Sequence, residues 1–100
     1  MVYLQWGSGY PPARTALDQP LAGSVVRAIE SVTGEPLIQM PTLGGSVPMY
    51  LFDEVLKTPV IGVPTVNHDN NQHAANENIR LQNLWDSIEI FAALMTGLER

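Results

Sequence analysis

Two stretches of the chain carry apolar residues at the spacing of a helix. The first opens near Asp18, which can serve as an N-cap, has Pro20 in its first turn and meets Gly34 as a left-handed stop. The second fills the last twenty residues. Their apolar positions are Leu21, Val25, Ile29 and Val32 in the first stretch, and Leu81, Leu84, Ile88, Phe91, Met95 and Leu98 in the second. We therefore predict two amphipathic helices whose apolar stripes form buried faces.

Shorter apolar runs predict strands. Residues 36–40 and 60–63 are continuous runs of strand length, and residues 2–6 alternate as a half-buried strand does. Between the two central runs, Ser46 can cap a further helix that ends at Thr58. The apolar positions of that helix are Val47, Leu51 and Val55. The order is then (β)-α-β-α-β-α, which predicts an α/β fold with parallel core strands.

The stretch GSGYPPARTALDQP, residues 7–20, is too rich in glycine and proline to sustain either element. It predicts a crossing segment between two structural regions. Two parallel strands make a small sheet, so we expect further strands to come from a larger whole.

The composition also indicates that the chain is part of a larger whole. Hydrophobic residues make up 45% of the chain and charged residues only 15%, against about 25% charged in ordinary soluble domains. Part of the exterior is therefore expected to be covered by another subunit or by more of a longer polypeptide. Cysteine is absent, which excludes thiolate zinc sites. No signal peptide or membrane-spanning run is seen, and we expect a cytoplasmic protein.

The net charge is −5 and the basic residues are scattered, so neither nucleic acid nor an anionic membrane is an expected partner. The five basic residues are Arg14, Arg27, Lys57, Arg80 and Arg100.

A glycine-rich turn, TLGGSVP, follows the first central strand and leads into the predicted middle helix. Gly45 allows close backbone approach, and Ser46 adds a hydroxyl at a helix start, where unpaired N–H groups suit a carboxylate or phosphate. The alternative is a tight turn with a capping serine.

The stretch NHDNNQHAANENI, residues 67–79, holds two histidines, two acids and five asparagines. Zinc binds neutral imidazole and carboxylate, so this stretch offers candidate ligands. They are His68, Asp69, His73 and Glu77. Asn83 and Asp86 are predicted to cap the last helix, which leaves these ligands in a loop where convergence is difficult. A solvated polar loop is the alternative, and the residues alone leave both open.

Taken together, the two motifs resemble a known family. The segment TLGGSVPMYLFDEVLKTPVIGVP, followed by NNQHAANENIRL and an apolar helix, resembles the end of the catalytic domain in M20 metallopeptidases, the dipeptidase and carnosinase-like members above all. The resemblance covers residues 10–98 and rests on a GGS-apolar-Pro turn with a later HxxNE motif. It implies a fragment of a three-layer αβα, phosphorylase/hydrolase-like zinc peptidase domain. Residues 1–17 would end the lid domain and residues 18–100 would close the catalytic domain.

The resemblance also implies roles for individual residues. His73 corresponds to the last protein ligand of a two-zinc centre, and Gly45 with Ser46 to the turn that receives the carboxylate of the substrate. Asn76 and Glu77 complete HxxNE and would support the ligand or fix the loop. His68 and Asp69 have no counterpart and are expected to be polar loop residues.

The implied function is hydrolysis of the amide bond of dipeptides or N-acyl amino acids by a di-zinc peptidase. The remaining ligands and the glutamate general base would precede the lid, so we expect this chain to be inactive alone, to hold no catalytic residue and not to retain zinc. Its partners would be the N-terminal catalytic half, the lid domain and a second copy in a homodimer. The alternatives are a non-enzymatic binding or oligomerisation module, and a metal site formed by His68 and His73 across a symmetric dimer.

Overall fold

The computed structural model describes residues 2, 7, 9–45 and 47–98. Its regular elements are the helix α1, Pro20–Thr33, a short π-helical turn, Leu51–Val55, and the helix α2, Leu81–Gly97. α1 packs against α2, and the other described residues lie mostly in turns, bends and irregular segments. None of the helices in these ranges is long and apolar enough to cross a membrane.

α1 follows the sequence prediction closely. Pro20 opens it, since a fixed φ and a missing N–H suit the first turn. Gly34 ends it at φ 70°, a left-handed conformation that glycine adopts without a Cβ clash, and its N–H donates to the Glu30 carbonyl at 2.9 Å. The N-cap is Gln19 rather than Asp18, and it makes no side-chain capping bond. Of the predicted stripe, Val32 is 41% exposed and lies outside the core.

The core lies between the two helices. Val25, Ala28 and Ile29 of α1 meet Leu94 of α2. Partly buried apolar residues surround them: Leu21, Leu37, Ile61, Val63, Ile90 and Leu98. A Cβ placed on Gly97 would lie 3.7 Å from the Cβ of Ala28, so small residues on both helices permit the close approach.

α2 forms as predicted but turns a different face to the core. Its buried residues are Ser87 and Leu94, each one position before a residue of the predicted stripe. One position is about 100° around a helix. Most of the predicted stripe is therefore exposed, and we call these residues the outer stripe: Leu81, Leu84, Ile88, Phe91 and Met95. The reason is that α2 is apolar on several sides, so periodicity alone does not select the face.

The predicted cap of α2 is also wrong. The N-cap is Arg80, which makes no side-chain capping bond, whereas Asn83 lies inside the helix. The Asn83 side chain donates a hydrogen bond to the Thr65 carbonyl at 3.0 Å, so this polar side chain has a partner within the protein.

The predicted α/β fold is wrong: no strand occurs in the part of the chain that the structure describes, which is helical. Residues 36–40 and 60–63 form no strand, and side chains bind their backbones instead. The Leu37 N–H donates to Glu30 Oε1 at 2.9 Å, and Thr15 Oγ1 both donates to the Val60 carbonyl (2.7 Å) and accepts from the Val60 N–H (2.9 Å).

The three-layer αβα arrangement with parallel core strands, order (β)-α-β-α-β-α, therefore does not hold. A strand buried in a parallel sheet needs neighbours and cover on both faces. Here the helix pair covers one side only, since Leu37 packs on the core while Ile38 is 87% exposed. Residues 3–6 of the predicted first strand lie outside the described residues.

The prediction of a middle helix with a buried face is wrong as well. The π-helical turn buries none of its residues, and Val47, Leu51 and Val55 are 59%, 46% and 68% exposed. Lys57 takes a left-handed φ of 53°, and the Thr58 N–H closes the turn on the Phe52 carbonyl at 3.0 Å. The segment lacks a buried face because it does not reach the helix pair. Ser46 lies outside the described residues.

Candidate functional site

The HxxNE motif lies in a loop that is tied shut at its base. This loop, residues 67–80, leads into α2 and is called the histidine loop below. Asn67 is buried, with 4% of its surface exposed. Its Nδ2 donates to Asp69 Oδ1 at 2.8 Å and to Asn78 Oδ1 at 3.2 Å, and its Oδ1 accepts from the Arg80 N–H at 3.0 Å. One amide side chain thus joins the beginning of the loop to its end.

An ion pair adds to this closure on the outside. Arg80 Nη2 lies 2.7 Å from Asp69 Oδ2, with both side chains about half exposed, so water screens the attraction. The hydrogen bond from Asn67, helped by the Arg80 guanidinium, lowers the pKa of Asp69 below its usual 3.8. Asp69 is therefore ionised and bonded wherever the pH is above that value.

Asparagines also shape the interior of the loop. The Asn78 N–H donates to the Asn70 carbonyl (2.9 Å) and its Nδ2 to the Asn76 carbonyl (2.9 Å). Asn70 Oδ1 accepts from the Gln72 N–H at 2.7 Å. Asn71 and Asn76 adopt left-handed φ values of 54° and 61°, which asparagine tolerates better than most residues. The local bias in the sequence is thus explained by turn formation.

His73 lies in the middle of the loop with an exposed side chain. Its φ of 63° is uncommon outside glycine. Such a backbone conformation costs about 1–3 kcal/mol of stability and persists only where the surrounding structure holds it. The Ala74 N–H donates to the Asn71 carbonyl at 2.9 Å and forms the turn that carries His73. The imidazole is therefore presented to the exterior on a constrained backbone.

Glu77 lines a shallow depression beside the loop, with a volume of about 310 Å³. The other lining residues are Val66, Asn70, Gln72, Asn78 and Ile79. α2 begins only at Leu81, so His73 and Glu77 do not share a helical face. The HxxNE motif acts here as a turn sequence, in which Asn76 contributes its conformation and its carbonyl.

The candidate ligands do not converge. Among the residues whose positions are described, no group of three or more His, Asp or Glu side chains is arranged to hold a metal ion. Asp69 is engaged by Asn67 and Arg80, and His68 is exposed. A zinc site takes three or four protein ligands. The histidine loop does not assemble such a ligand set from its own residues.

The glycine turn has a different character. Gly45 is exposed and an added Cβ would meet nothing within 4 Å, while Ser46 lies outside the described residues. Residues 47–49 are not helical, and the Met49 N–H donates to the Val47 carbonyl at 2.7 Å. The helix start that favoured anion binding is therefore not found. The role of Gly45 and Ser46 stays a prediction carried by the resemblance.

Sequence reasoning missed Asn67 and the importance of Asp69. Asn67 directly follows the run VPTV, so a polar side chain stands where a mostly apolar segment enters a loop. Such a position favours a side chain that satisfies loop backbone groups. The partners of Asn67 could not be read from spacing because they depend on how the loop folds back.

Comparison with models of known protein families gives a match. The model of peptidase family M20/M25/M40 matches residues 2–97, a range that contains both the glycine turn and the histidine loop. No curated protein and no solved structure matches the chain.

Proposed function

This chain belongs to peptidase family M20/M25/M40, and on that premise we propose that it works as part of a two-zinc peptidase acting on dipeptides or N-acyl amino acids. The observation that carries the proposal is the histidine loop. It holds the HxxNE motif, residues 73–77, in a hydrogen-bonded turn with an exposed imidazole. A ligand that is exposed and constrained suits a site completed by another surface.

His73 is proposed to bind zinc through a neutral imidazole nitrogen. When bound, zinc would polarise the amide carbonyl of the substrate and acidify a bound water. His73 would act with ligands from the N-terminal catalytic half. No general base is assigned within this chain, so the chain alone is proposed to be inactive.

The neighbouring motif residues are proposed to support His73. Asn76 would fix the loop through its left-handed φ and the bond that its carbonyl accepts from Asn78. Glu77 borders the depression and would interact with groups that approach the loop. Gly45 and Ser46 are proposed to receive the substrate carboxylate. The open space around Gly45 supports access of a ligand to the backbone.

The exposed apolar surface supports the presence of partners. The outer stripe runs along α2 with 40–87% of each residue exposed, and apolar patches of this kind mark interaction surfaces. We propose that the N-terminal catalytic half covers it, with the lid domain beside it. A second copy of the chain in a homodimer is the other candidate.

The outer stripe also favours a second candidate function. A binding or oligomerisation module without hydrolytic chemistry would show the same apolar surface. The two differ in whether His73 matters: a module would tolerate its loss, whereas a peptidase would not.

The test is zinc-dependent hydrolysis of dipeptides and N-acyl amino acids by the enzyme that carries this chain. His73→Ala should lower kcat/KM by about 100-fold or more, equivalent to about 2.7 kcal/mol. His68→Ala, in the same loop, is the matched control and should stay close to the unsubstituted enzyme. Equal activity of the two variants would contradict the peptidase role of His73. Hydrolysis by residues 1–100 alone, abolished by His73→Ala, would contradict the proposed inactivity.

A further inference from the structure

We infer that Asn67 is a positioning residue for His73: its buried amide closes the histidine loop and holds the imidazole in the orientation in which it meets a metal. This inference rests on the proposed role of His73 as a ligand. Asn67 lies outside the HxxNE motif and does not contact His73 directly.

The Asn67 side chain forms hydrogen bonds at both ends of the histidine loop. Asn67 bonds to Asp69 near the start of the loop, and to Asn78 and the Arg80 backbone at its end. These bonds use both hydrogens of its amide and its oxygen. Loss of the amide would remove all three bonds at once. The partners belong to exposed residues, where water can replace individual bonds, but water does not link the two ends of the loop as the buried amide of Asn67 does.

The other interactions that close the histidine loop are weaker than those of Asn67. The Asp69–Arg80 pair is about half exposed and therefore screened. The bonds between Asn70 and Asn78 and between Asn71 and Ala74 also lie within the loop, but none of these four residues is buried. Asn67 is the tie that combines burial with contacts at both ends.

The backbone conformation of His73 depends on the closed loop. Its left-handed φ is held only as long as the surrounding turn is fixed. A loop open at its base would let this residue return to common backbone conformations. The imidazole would then sample many directions, and each additional direction lowers the fraction of molecules ready to bind a metal.

The chemistry of the position makes it selective for asparagine. Aspartate has the same shape and keeps the acceptor for the Arg80 N–H, but it loses both donated bonds and places a carboxylate against Asp69. Asn67→Asp therefore breaks the tie without opening a cavity. Asn83→Ala is the matched control, since Asn83 is also half-buried or more and makes one side-chain bond, to Thr65, away from the loop interior.

The experiment combines NMR on the 100-residue chain with a metal titration of the enzyme that carries this chain. Amide heteronuclear NOEs of residues 70–78 and the HN–Hα coupling of His73 report loop order in the chain, and titration of the metal-free enzyme with Zn²⁺ alone gives the affinity of the site to which His73 is proposed to contribute. In Asn67→Asp the NOEs should fall, the coupling should move toward the average of an open chain, and the Zn²⁺ affinity at His73 should drop about tenfold. Asn83→Ala should leave all three unchanged at an equal loss of thermal stability.

A second variant guards against failure of Asn67→Asp to fold. Asn78→Ala removes one partner of Asn67 at an exposed position and should give a smaller loosening of the same residues. The inference is overturned if the order of the loop is unchanged in both variants, if Asn83→Ala loosens it equally, or if it loosens while the affinity at His73 stays constant.

Failure of the proposed function gives a different result. If His73→Ala leaves the Zn²⁺ affinity of the enzyme unchanged, the ligand role of His73 fails. The NOEs and the His73 coupling still decide whether Asn67 holds the backbone of that residue.

Discussion

The histidine loop and the segment of residues 42–58 were both expected to contribute to one site, and they fold on different terms. The loop is polar and satisfies its backbone through its own side chains, with Asn67 buried at the base. The segment is apolar, and Val47 and Val55 remain more than half exposed. A polar loop can therefore take shape from local bonds, whereas an apolar segment needs a surface to pack on.

The largest expected difference between the two regions is in stability. Asn67→Ala should lower the free energy of unfolding by about 2 kcal/mol, since it removes the three hydrogen bonds that this buried side chain makes. Val55→Ser, at a position 68% exposed, should change it by less than about 0.5 kcal/mol. Urea unfolding of both variants measures the pair. Similar losses would mean that residues 42–58 are packed more firmly than their exposure indicates.

Hydrogen exchange should separate the regions next. The Arg80 N–H is bonded to a buried side chain, whereas the Thr58 N–H closes an exposed turn on Phe52. We expect the Arg80 amide to exchange about tenfold or more slowly than the Thr58 amide after correction for intrinsic rates. Equal protection would remove the distinction.

Acid should affect one region and not the other. The pKa of Asp69 is lowered by folding, so its bonds stabilise the loop fully above its usual value of 3.8 and are lost as the pH falls below that value through the folded pKa. Amide shifts of residues 67–80 should therefore change together in this range. Asp69→Asn should abolish that common transition, and its persistence would assign the transition to another group.

The smallest effect is expected at the glycine turn. Gly45→Ala should alter stability by less than about 0.5 kcal/mol, because a Cβ there meets nothing within 4 Å and Gly45 has no positive φ. If its backbone receives the substrate carboxylate, KM should rise in the zinc enzyme with kcat little changed. An unchanged KM would withdraw Gly45 from the site.

How far the sequence determined the fold differs between the helices. Each helix carries two charged residues, Arg27 and Glu30 in α1 and Asp86 and Glu89 in α2. In α1 the apolar residues concentrate on one side, so the pattern predicted both the helix and most of its buried face, whereas the apolar residues around α2 left its face undetermined. The face of α2 that is buried is the one on which Leu94 and Gly97 pack near Ala28 of α1.

The strands and the site show the limits of the pattern for another reason. Residues 36–40 and 60–63 have the composition of strands, but pairing depends on neighbours that a local pattern does not contain. In the loop, motif spacing indicated His73, while the role of Asn67 depends on three bonds that form only when the chain folds back.

The central claim is that His73, held by the closed histidine loop, is a zinc ligand. The most direct measurement is a crystal structure of the zinc-loaded enzyme that carries this chain. We predict zinc bound to an imidazole nitrogen of His73, with Asn67 bonded to Asn78 and to the Arg80 backbone. Zinc bound without His73, or bound to His68 in its place, would contradict the account.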